Sequence, residues 1–272
     1  MIHKKFIFLA GHHRSGTSLL HEIIREHPAI SGFRNTGVPE DEGQHLQSVF
    51  KPANSFGGPG KYIFNKNSYM NENHALANCQ SAESIMDQWE KHYDQACDRY
   101  IEKSPPNLIR TRFLQKLFPS SKFIVILRHP LAVSYATQKW SKTSIKSLIE
   151  HTLLGYEIFQ RDIDYLRHVY VLRYEEFVVN PQDEIDKVFD FLGLNSVSIN
   201  QIVNSNGNER YFARWESSRK RFMNRILLPV SSKLEARVNR LGYSIFRCRD
   251  LLPSSLLGVH RNSKEPNAKP DT

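Results

Sequence analysis

Hydrophobic residues in this chain form short continuous runs that alternate with amphipathic stretches. Four runs are predicted to be β-strands, at residues 6–10, 99–102, 123–127 and 169–172. Three of them are rich in β-branched and aromatic side chains, as strands covered on both faces are, and 99–102 is the weakest of the four. The pattern therefore predicts a buried parallel sheet.

Amphipathic helices are predicted between and after these strands. Apolar residues recur at helical spacing over residues 17–26, 108–118, 145–166 and 183–192, and the last stretch ends before Gly193. Strands that alternate with helices predict an α/β fold, in which helices flank both faces of the sheet.

Two regions depart from this alternation. Residues 32–70 are polar and contain glycines, and they predict a long loop with a short helix near residues 42–50. A long loop in a compact domain is usually functional or mobile. Residues 215–248 are helical in pattern and strongly basic. We expect a single domain over residues 1–260, followed by a disordered tail over 261–272.

Composition narrows the class of protein. The chain has 272 residues, enough for one large core, and no apolar run reaches the roughly 18 residues of a membrane-spanning helix. Cys79, Cys97 and Cys248 are scattered, which argues against a disulfide framework and against a CxxC site. The N-terminus lacks a signal-peptide pattern. A soluble, cytoplasmic protein without stable membrane insertion is expected.

The net charge of +9 favours an anionic ligand or surface but does not choose between them. No basic block with interleaved aromatic residues and no zinc-finger spacing is present, so nucleic acid is not an expected partner. The sequence leaves the oligomeric state open.

Residues 11–18 read Gly-His-His-Arg-Ser-Gly-Thr-Ser and lie between the first strand and the first helix. A glycine-containing turn at a helix start presents free backbone N–H groups to an anion. The two glycines have the spacing of the nucleotide-binding P-loop, so the fold is predicted to be P-loop-like. Thr17 replaces the P-loop lysine, however, and Arg14 lies inside the loop. The simpler alternative is an ordinary strand–helix turn with a capping hydroxyl.

The missing lysine changes the expected chemistry. In P-loop enzymes that lysine contacts the β- and γ-phosphates, and a later aspartate supports Mg²⁺. Neither group is evident here, so triphosphate hydrolysis is disfavoured. The guanidinium of Arg14 suits a phosphoryl or sulfuryl group.

A second candidate site follows the strand at 123–127. Arg128 leaves the carboxyl end of that strand, where open α/β sheets bind ligands. Pro130 suits the first turn of a helix, and Ser134 lies one to two turns inside it. Arg128 and Ser134 are candidates to hold a second phosphate. The alternative is a surface arginine paired with a carboxylate.

Together these motifs resemble the sulfotransferases that use 3′-phosphoadenosine 5′-phosphosulfate (PAPS). The resemblance covers roughly residues 4–195 and includes two more segments, Glu102-Lys103-Ser104-Pro105-Pro106 and Leu172-Arg173-Tyr174-Glu175-Glu176-Phe177. It implies PAPS as the cofactor and no required metal. The implied cofactor-binding residues are His13, Arg14, Ser15, Gly16, Thr17, Ser18, Arg128, Ser134 and Tyr174.

The chain also departs from the family pattern. The family serine usually follows the arginine by eight positions, where this chain has Ala136, so Ser134 or Thr137 is left to bind the 3′-phosphate. Leu19 replaces the tryptophan that stacks on adenine in the cytosolic small-molecule branch, and Pro105 replaces that branch's histidine. The resemblance is closer to the tyrosylprotein and carbohydrate branch, whose members use a glutamate base.

The resemblance implies in-line transfer to an acceptor hydroxyl of a small molecule, a sugar or a tyrosine. Lys103 and Arg14 are the expected cations at the sulfuryl group, although Lys103 also fits an ordinary strand-edge lysine. Glu42 is the expected base, with Glu40 and His45 as alternatives. These acidic residues also fit a helix N-terminus that merely favours negative charge.

Two rival functions remain open from the sequence. The first is a P-loop-type kinase or NTPase with a degenerate loop, and the second is a non-catalytic binder of a nucleotide or another anion. Three roles are open for the basic residues between 205 and 225: binding an acidic acceptor, binding the 3′-phosphate, or only solvating a helix. These residues are Arg210, Arg214, Arg219, Lys220 and Arg221.

Overall fold

The computed structural model describes residues 4–220 and 232–261. Its six-stranded sheet has the order β2-β3-β1-β4-β5-β6, and β6 alone is antiparallel to its neighbour. The strands are β1 (Lys5–Gly11), β2 (Ile30–Gly32), β3 (Arg99–Lys103), β4 (Lys122–Leu127), β5 (His168–Arg173) and β6 (Gly258–Arg261).

Helices connect the strands and continue after β5. Within the described ranges they are α1 (Thr17–Ile24), α2 (Cys79–Trp89), α3 (Thr111–Leu117), α4 (Pro130–Ser141), α5 (Ile145–Asp162), α6 (Tyr174–Val179), α7 (Pro181–Leu192), α8 (Glu209–Lys220) and α9 (Ser232–Arg240). None of these helices has the length and apolar character to span a bilayer.

The sheet is covered on both faces because side chains alternate along its strands. On β1, Phe6, Phe8 and Ala10 pack into one core, against residues of α2, α3 and α5. Ile7 and Leu9 point to the opposite face, where they pack with residues of α1 and α7. This arrangement confirms the predicted α/β class with helices on both faces.

Several element bounds differ from the prediction. Residues 42–50 form no α-helix but only a 3₁₀ turn at Gly43–His45, so that expectation was wrong. The backbone before it is unfit for a helix, because Glu40 and Asp41 have positive φ angles of 55° and 48°. β2 and β6 were not predicted, since three or four residues carry too little periodicity to detect.

The predicted tail overlaps the sheet by one residue. Arg261 ends β6, whereas residues 262–272 lie outside the described residues. The predicted basic helical region of 215–248 contains α9 and the end of α8, and its residues 221–231 also lie outside the description.

The strand register aligns the carboxyl ends of the central strands. Leu9 pairs with Lys103, Gly11 with Ile126 and Leu127 with Arg173. β1 lies between β3 and β4, so β2 and β3 are on one side of β1 and β4 to β6 are on the other. The segments that follow β1, β3, β4 and β5 therefore meet at one edge of the sheet, the usual place for a ligand crevice in such folds.

Candidate active site

The glycine loop, residues 11–18, joins β1 to α1. Arg14 and Gly16 have positive φ angles of 68° and 106°, and a Cβ on Gly16 would lie 2.7 Å from the ring of Tyr174. Among the described residues, no hydrogen bond engages the backbone N–H of Gly16, Thr17 or Ser18. The loop thus presents open donors at the N-terminus of α1, as an anion-binding turn requires.

Side chains of the glycine loop differ in their freedom to bind a ligand. The hydroxyl of Ser15 and Nδ1 of His13 are buried and have no hydrogen-bond partner within the described part of the chain. The hydroxyl of Ser18, in contrast, donates to a carboxylate oxygen of Glu40 at 3.1 Å. Unpartnered buried polar atoms are uncommon, so Ser15 and His13 have capacity for a bound group.

Arg14 lies at the rim of the loop. Its side chain is exposed, and the guanidinium carbon lies 4.7 Å from the ring centroid of Trp140, in cation–π geometry. The predicted contact of Arg14 with a sulfuryl group stays a prediction. Trp140, which is itself about half exposed at 49%, was missed by sequence reasoning.

Arg128 is buried at the carboxyl end of β4 and contacts the glycine loop directly. Its Nη1 donates to the carbonyl of Arg14 at 2.7 Å, Nε to Oδ1 of Asn208 at 2.8 Å, and Nη2 to the carbonyl of Gly207 at 3.2 Å. The guanidinium carbon lies 3.9 Å from the ring centroid of Tyr174. The second predicted anion-binding residue and the first predicted loop thus form one site.

A carboxylate network holds the partners of Arg128. Glu175 accepts hydrogen bonds from Nδ2 of Asn208 at 2.6 Å and from the backbone N–H of His129 at 3.0 Å. Its other oxygen accepts from the hydroxyl of Tyr243 at 3.0 Å. Asn208 precedes α8, and no sequence signal connected this distant residue with Arg128.

The hydroxyl of Ser134, which was predicted to bind a phosphate together with Arg128, already has partners within the protein. It is fully buried in α4, donates to the carbonyl of Pro130 at 2.7 Å and lies 3.4 Å from the hydroxyl of Thr152. A role in binding the 3′-phosphate would require this hydroxyl to leave its carbonyl partner. The hydroxyl of Thr137, the alternative, is buried and has no hydrogen-bond partner among residues 4–220 and 232–261.

Lys103 and Glu42 form a buried ion pair at the end of β3. Nζ of Lys103, a side chain only 1% exposed, donates to the carbonyl of Glu40 at 2.8 Å and lies 3.4 Å from Oε1 of Glu42. Oε2 of Glu42 accepts from Nε2 of Gln44 at 2.5 Å. Burial raises the pKa of Glu42, while the charge of Lys103 opposes the rise.

The three candidate bases differ in their position relative to Lys103. Glu40 is exposed, and its backbone carbonyl rather than its carboxylate faces Lys103. The left-handed backbone of Glu40 and Asp41 turns that carbonyl inward. His45 lies 4.0 Å from Glu42, and burial lowers its pKa. Glu42 is the carboxylate that the fold places beside Lys103.

The predicted basic stretch lies mostly at the surface, where Arg210, Arg214 and Lys220 are exposed. Arg210 contacts Tyr211, Arg214 donates to Gln138, and Arg219 lies over Phe246. Arg221 lies outside the described residues. Within the ranges that the structure covers, no cluster of three or more His, Cys, Asp or Glu side chains has the arrangement of a metal site.

His12 and His13 of the glycine loop and His151 of α5 are neutral, because burial lowers their pKa values. Burial lowers the pKa of His12 to about 4, that of His13 to about 3 and that of His151 to about 2. His12 donates from Nε2 to the carbonyl of Thr152 at 2.8 Å. Protonation of these side chains would place cations in a poorly solvated region.

We predict that acid destabilises the protein through these histidines. A pKa lowered on folding contributes stability above the unfolded value near 6.5, and this contribution is lost as the pH falls towards about 4. Each such histidine should cost about 1.4 kcal/mol per pH unit in that window. Denaturant unfolding at several pH values measures the slope, and His12→Gln should reduce it. A free energy of unfolding that is independent of pH between about 7 and 5 would contradict the prediction.

The protein is a P-loop-like α/β protein, with a glycine-containing turn after β1 and a buried Lys–Glu pair at the same edge of the sheet. The model of a sulfotransferase family matches residues 7–198, and the chain belongs to this family. The predicted resemblance is thereby confirmed, whereas the preference for the tyrosylprotein and carbohydrate branch stays a prediction.

Solved structures share the fold. The chain is 17% identical to the sulfotransferase domain from the curacin biosynthetic pathway, with a TM-score of 0.54 over 89% of this chain and 99% of that one. It is also 17% identical to the sulfotransferase domain of the Synechococcus PCC 7002 olefin synthase, with a TM-score of 0.50 over 89% and 95% of the two chains. No curated protein matches the chain.

Proposed function

We propose that this sulfotransferase moves a sulfuryl group from PAPS to an acceptor hydroxyl, with Glu42 as the base. The observation that carries the proposal is the buried Lys103–Glu42 pair, which places an acid–base group and a cation 3.4 Å apart. General-base catalysis needs a carboxylate of raised pKa, and burial supplies it here.

The residues present fit the donor. The open N–H groups of the glycine loop and the unpartnered Ser15 hydroxyl suit the 5′-phosphosulfate. Arg128 uses three of its five N–H groups on protein acceptors and retains two for the 3′-phosphate. Tyr174 is assigned to the adenosine, and its packing against Arg128 and Gly16 supports this assignment.

Each group of the chain then has a distinct task. PAPS supplies the sulfuryl group, whose bond to the 5′-phosphate oxygen breaks as the bond to the acceptor oxygen forms. Glu42 accepts the proton of the acceptor hydroxyl, and Lys103 stabilises the charge on the departing phosphate oxygen. Arg14, released from Trp140, adds a second cation from the rim.

The acceptor site is proposed to lie against the long segment between β2 and α2. Burial leaves the hydroxyl of Tyr62 and Nη1 of Arg110 without hydrogen-bond partners in the described part of the chain. Burial raises the pKa of Tyr62, and the charge of Arg110 opposes this rise. Burial lowers the pKa of Arg110 to about 10, and Tyr62 opposes this fall. These polar groups are candidates to bind a small-molecule, sugar or tyrosine acceptor.

Adenosine 3′,5′-bisphosphate, the product of PAPS, is expected to stabilise the protein without metal. At about 100 times its dissociation constant it should add about 2.7 kcal/mol to the free energy of unfolding. For a chain of this size that corresponds to a Tm increase of about 5 °C or more. The measurement is a thermal melt with and without EDTA.

Two further results decide between sulfotransfer and the rival functions. A Tm increase with Mg-ATP but not with the bisphosphate would favour the kinase or NTPase alternative. Labelled PAPS offered with alcohol, sugar and tyrosine-peptide acceptors should give a labelled product. Tight binding of the bisphosphate without transfer to any acceptor or to water would favour a non-catalytic binder.

A further inference from the structure

A second buried carboxylate lies at the end of β3, immediately before Lys103. Glu102 is only 1% exposed and has no ion-pair partner among the described residues. Its Oε1 accepts from the backbone N–H of Gly43 at 2.9 Å and from the hydroxyl of Ser104 at 2.6 Å. Its Oε2 accepts from Nδ2 of Asn107 at 2.6 Å. A buried carboxylate is costly unless it is compensated, and these three donors provide the compensation.

These hydrogen bonds lead directly to the proposed base. Gly43 follows Glu42 in the chain, so Glu102 fixes the backbone on one side of it. The hydroxyl of Ser104 also accepts from the backbone N–H of Gln44 at 3.1 Å. The side chain of Gln44 in turn donates to Oε2 of Glu42 at 2.5 Å. Both the backbone next to Glu42 and the partner of its carboxylate thus depend on Glu102 and Ser104.

The contact between Glu102 and Gly43 is too close for a side chain at residue 43. A Cβ on Gly43 would lie 2.6 Å from both Cγ and Oε1 of Glu102. The carbonyl of Gly43 accepts from Nε1 of Trp89 at 3.0 Å, which holds this residue from a further side. Nδ2 of Asn107 also donates to the carbonyl of Leu9 on β1, at 3.4 Å. One carboxylate therefore joins β3, β1 and the segment that carries the base.

We infer that Glu102 is a positioning residue that holds Glu42 opposite Lys103. The inference rests on the proposed function, in which Glu42 accepts the acceptor proton. Glu102 itself is enclosed by its three donors and does not touch the reacting groups. Displacements of about 1 Å in an active site reduce turnover by about 10²-fold, so the position of Glu42 matters for the rate.

The positioning role of Glu102 should depend on pH, because its carboxylate can be protonated. Burial raises its pKa to about 7, the donors Ser104, Asn107 and Gly43 oppose the rise, and the charge of Glu42 adds to it. Tyr93 and Arg110 are the other charged or titratable groups whose pKa values respond to Glu102. The neutral acid accepts hydrogen bonds more weakly, so the hold on Gly43 should loosen as the pH falls below about 7.

The test is Glu102→Gln, which keeps the shape but removes the charge and adds an N–H group that faces the Asn107 amide. We expect kcat to fall by about 10- to 100-fold, measured as transfer from labelled PAPS to the most reactive acceptor of the panel or to water. The affinity for adenosine 3′,5′-bisphosphate should stay within about twofold. The fall in kcat of the wild type below about pH 7 should be reduced in the variant.

A second variant and a control separate positioning from simple loss of structure. Glu102→Gln/Asn107→Asp restores one carboxylate and one amide with their places exchanged, and should recover part of kcat. Glu184→Gln removes another buried carboxylate, on α7, and should leave both kcat and its pH dependence unchanged. Amide exchange of Gly43 in the wild type needs no variant, and its protection should decrease as the pH falls through about 7.

Each outcome has a defined meaning. Wild-type kcat and pH dependence in Glu102→Gln, together with an inactive Glu42→Gln, would overturn the positioning role alone. An equal loss of kcat, bisphosphate affinity and Tm would show a merely structural role and would also overturn it. An active Glu42→Gln would refute the proposed base itself. If Glu102→Gln does not fold, pH-independent protection of Gly43 would still refute the inference.

Discussion

Replacing Glu42 by glutamine is expected to lower kcat by about 10²- to 10⁴-fold, the usual contribution of a general base. The amide keeps the shape of the side chain and its place beside Gln44, but it cannot accept the acceptor proton. Steady-state transfer from labelled PAPS measures the loss. The affinity for adenosine 3′,5′-bisphosphate should remain near the wild-type value, because Glu42 contacts Lys103 and not the glycine loop.

The dependence of activity on pH provides a second test of Glu42 as the base. Burial raises the pKa of Glu42, so the wild type should lose activity as the pH falls through that raised value, and this loss should be absent in Glu42→Gln. Glu40→Gln is the discriminating comparison, because it removes an exposed carboxylate two residues away. An equal loss of kcat in Glu40→Gln and none in Glu42→Gln would assign the base to Glu40.

Replacing Arg128 by alanine is expected to weaken binding of adenosine 3′,5′-bisphosphate by about 30- to 4 × 10³-fold. Truncating a buried, hydrogen-bonded charge typically costs 2–5 kcal/mol in affinity, and each 1.4 kcal/mol is tenfold. In the proposed binding mode the loss has two sources: the two N–H groups of Arg128 that have no partner among the described residues, and its hydrogen bond to the carbonyl of Arg14 in the glycine loop. Isothermal titration or the Tm increase with the bisphosphate measures the loss.

Controls distinguish binding from folding at this position. Arg128→Lys keeps the charge but loses the fork that contacts Asn208 and Gly207 together, so it should bind with intermediate affinity. Arg112→Ala removes an arginine that pairs with Glu72 and Asp162, and it should lower stability without changing bisphosphate affinity. Equal weakening in the Arg112 and Arg128 variants would contradict the assignment of Arg128 to the nucleotide.

Most of the sheet was predictable because its central strands are buried on both faces. Continuous apolar runs such as 123–127 have few other stable placements, and β4 lies over Lys122–Leu127 as expected. β2 escaped prediction because its three residues, Ile30–Gly32, pair only with β3 and carry no local pattern. The prediction of a helix near 42–50 was wrong because contacts with Glu102 and Ser104, at the end of β3, fix the conformation of this segment. Its own apolar periodicity does not.

The sequence likewise predicted some residues of the candidate site and missed others. Lys103, Arg128 and the glycine loop follow strands directly, so aligned carboxyl ends of parallel strands bring them to one edge. Glu102 is a charged residue in the strand predicted at 99–102, so it made that strand the weakest of the four. Nothing in the sequence indicated that its carboxylate is buried. Asn208 approaches Arg128 from 80 residues away, and no spacing rule reports such a contact.

The sequence by itself determined the α/β alternation, the family and the order of the motifs, because these depend on local periodicity and on residues adjacent to strands. Tertiary structure alone decided which groups meet. It placed the carboxylate of Glu42 rather than that of Glu40 beside Lys103, turned Ser134 towards the carbonyl of Pro130, and set Arg14 on Trp140. The physical reason is that hydrogen bonds and burial between distant segments fix side-chain directions, and these interactions leave no periodic trace in the chain.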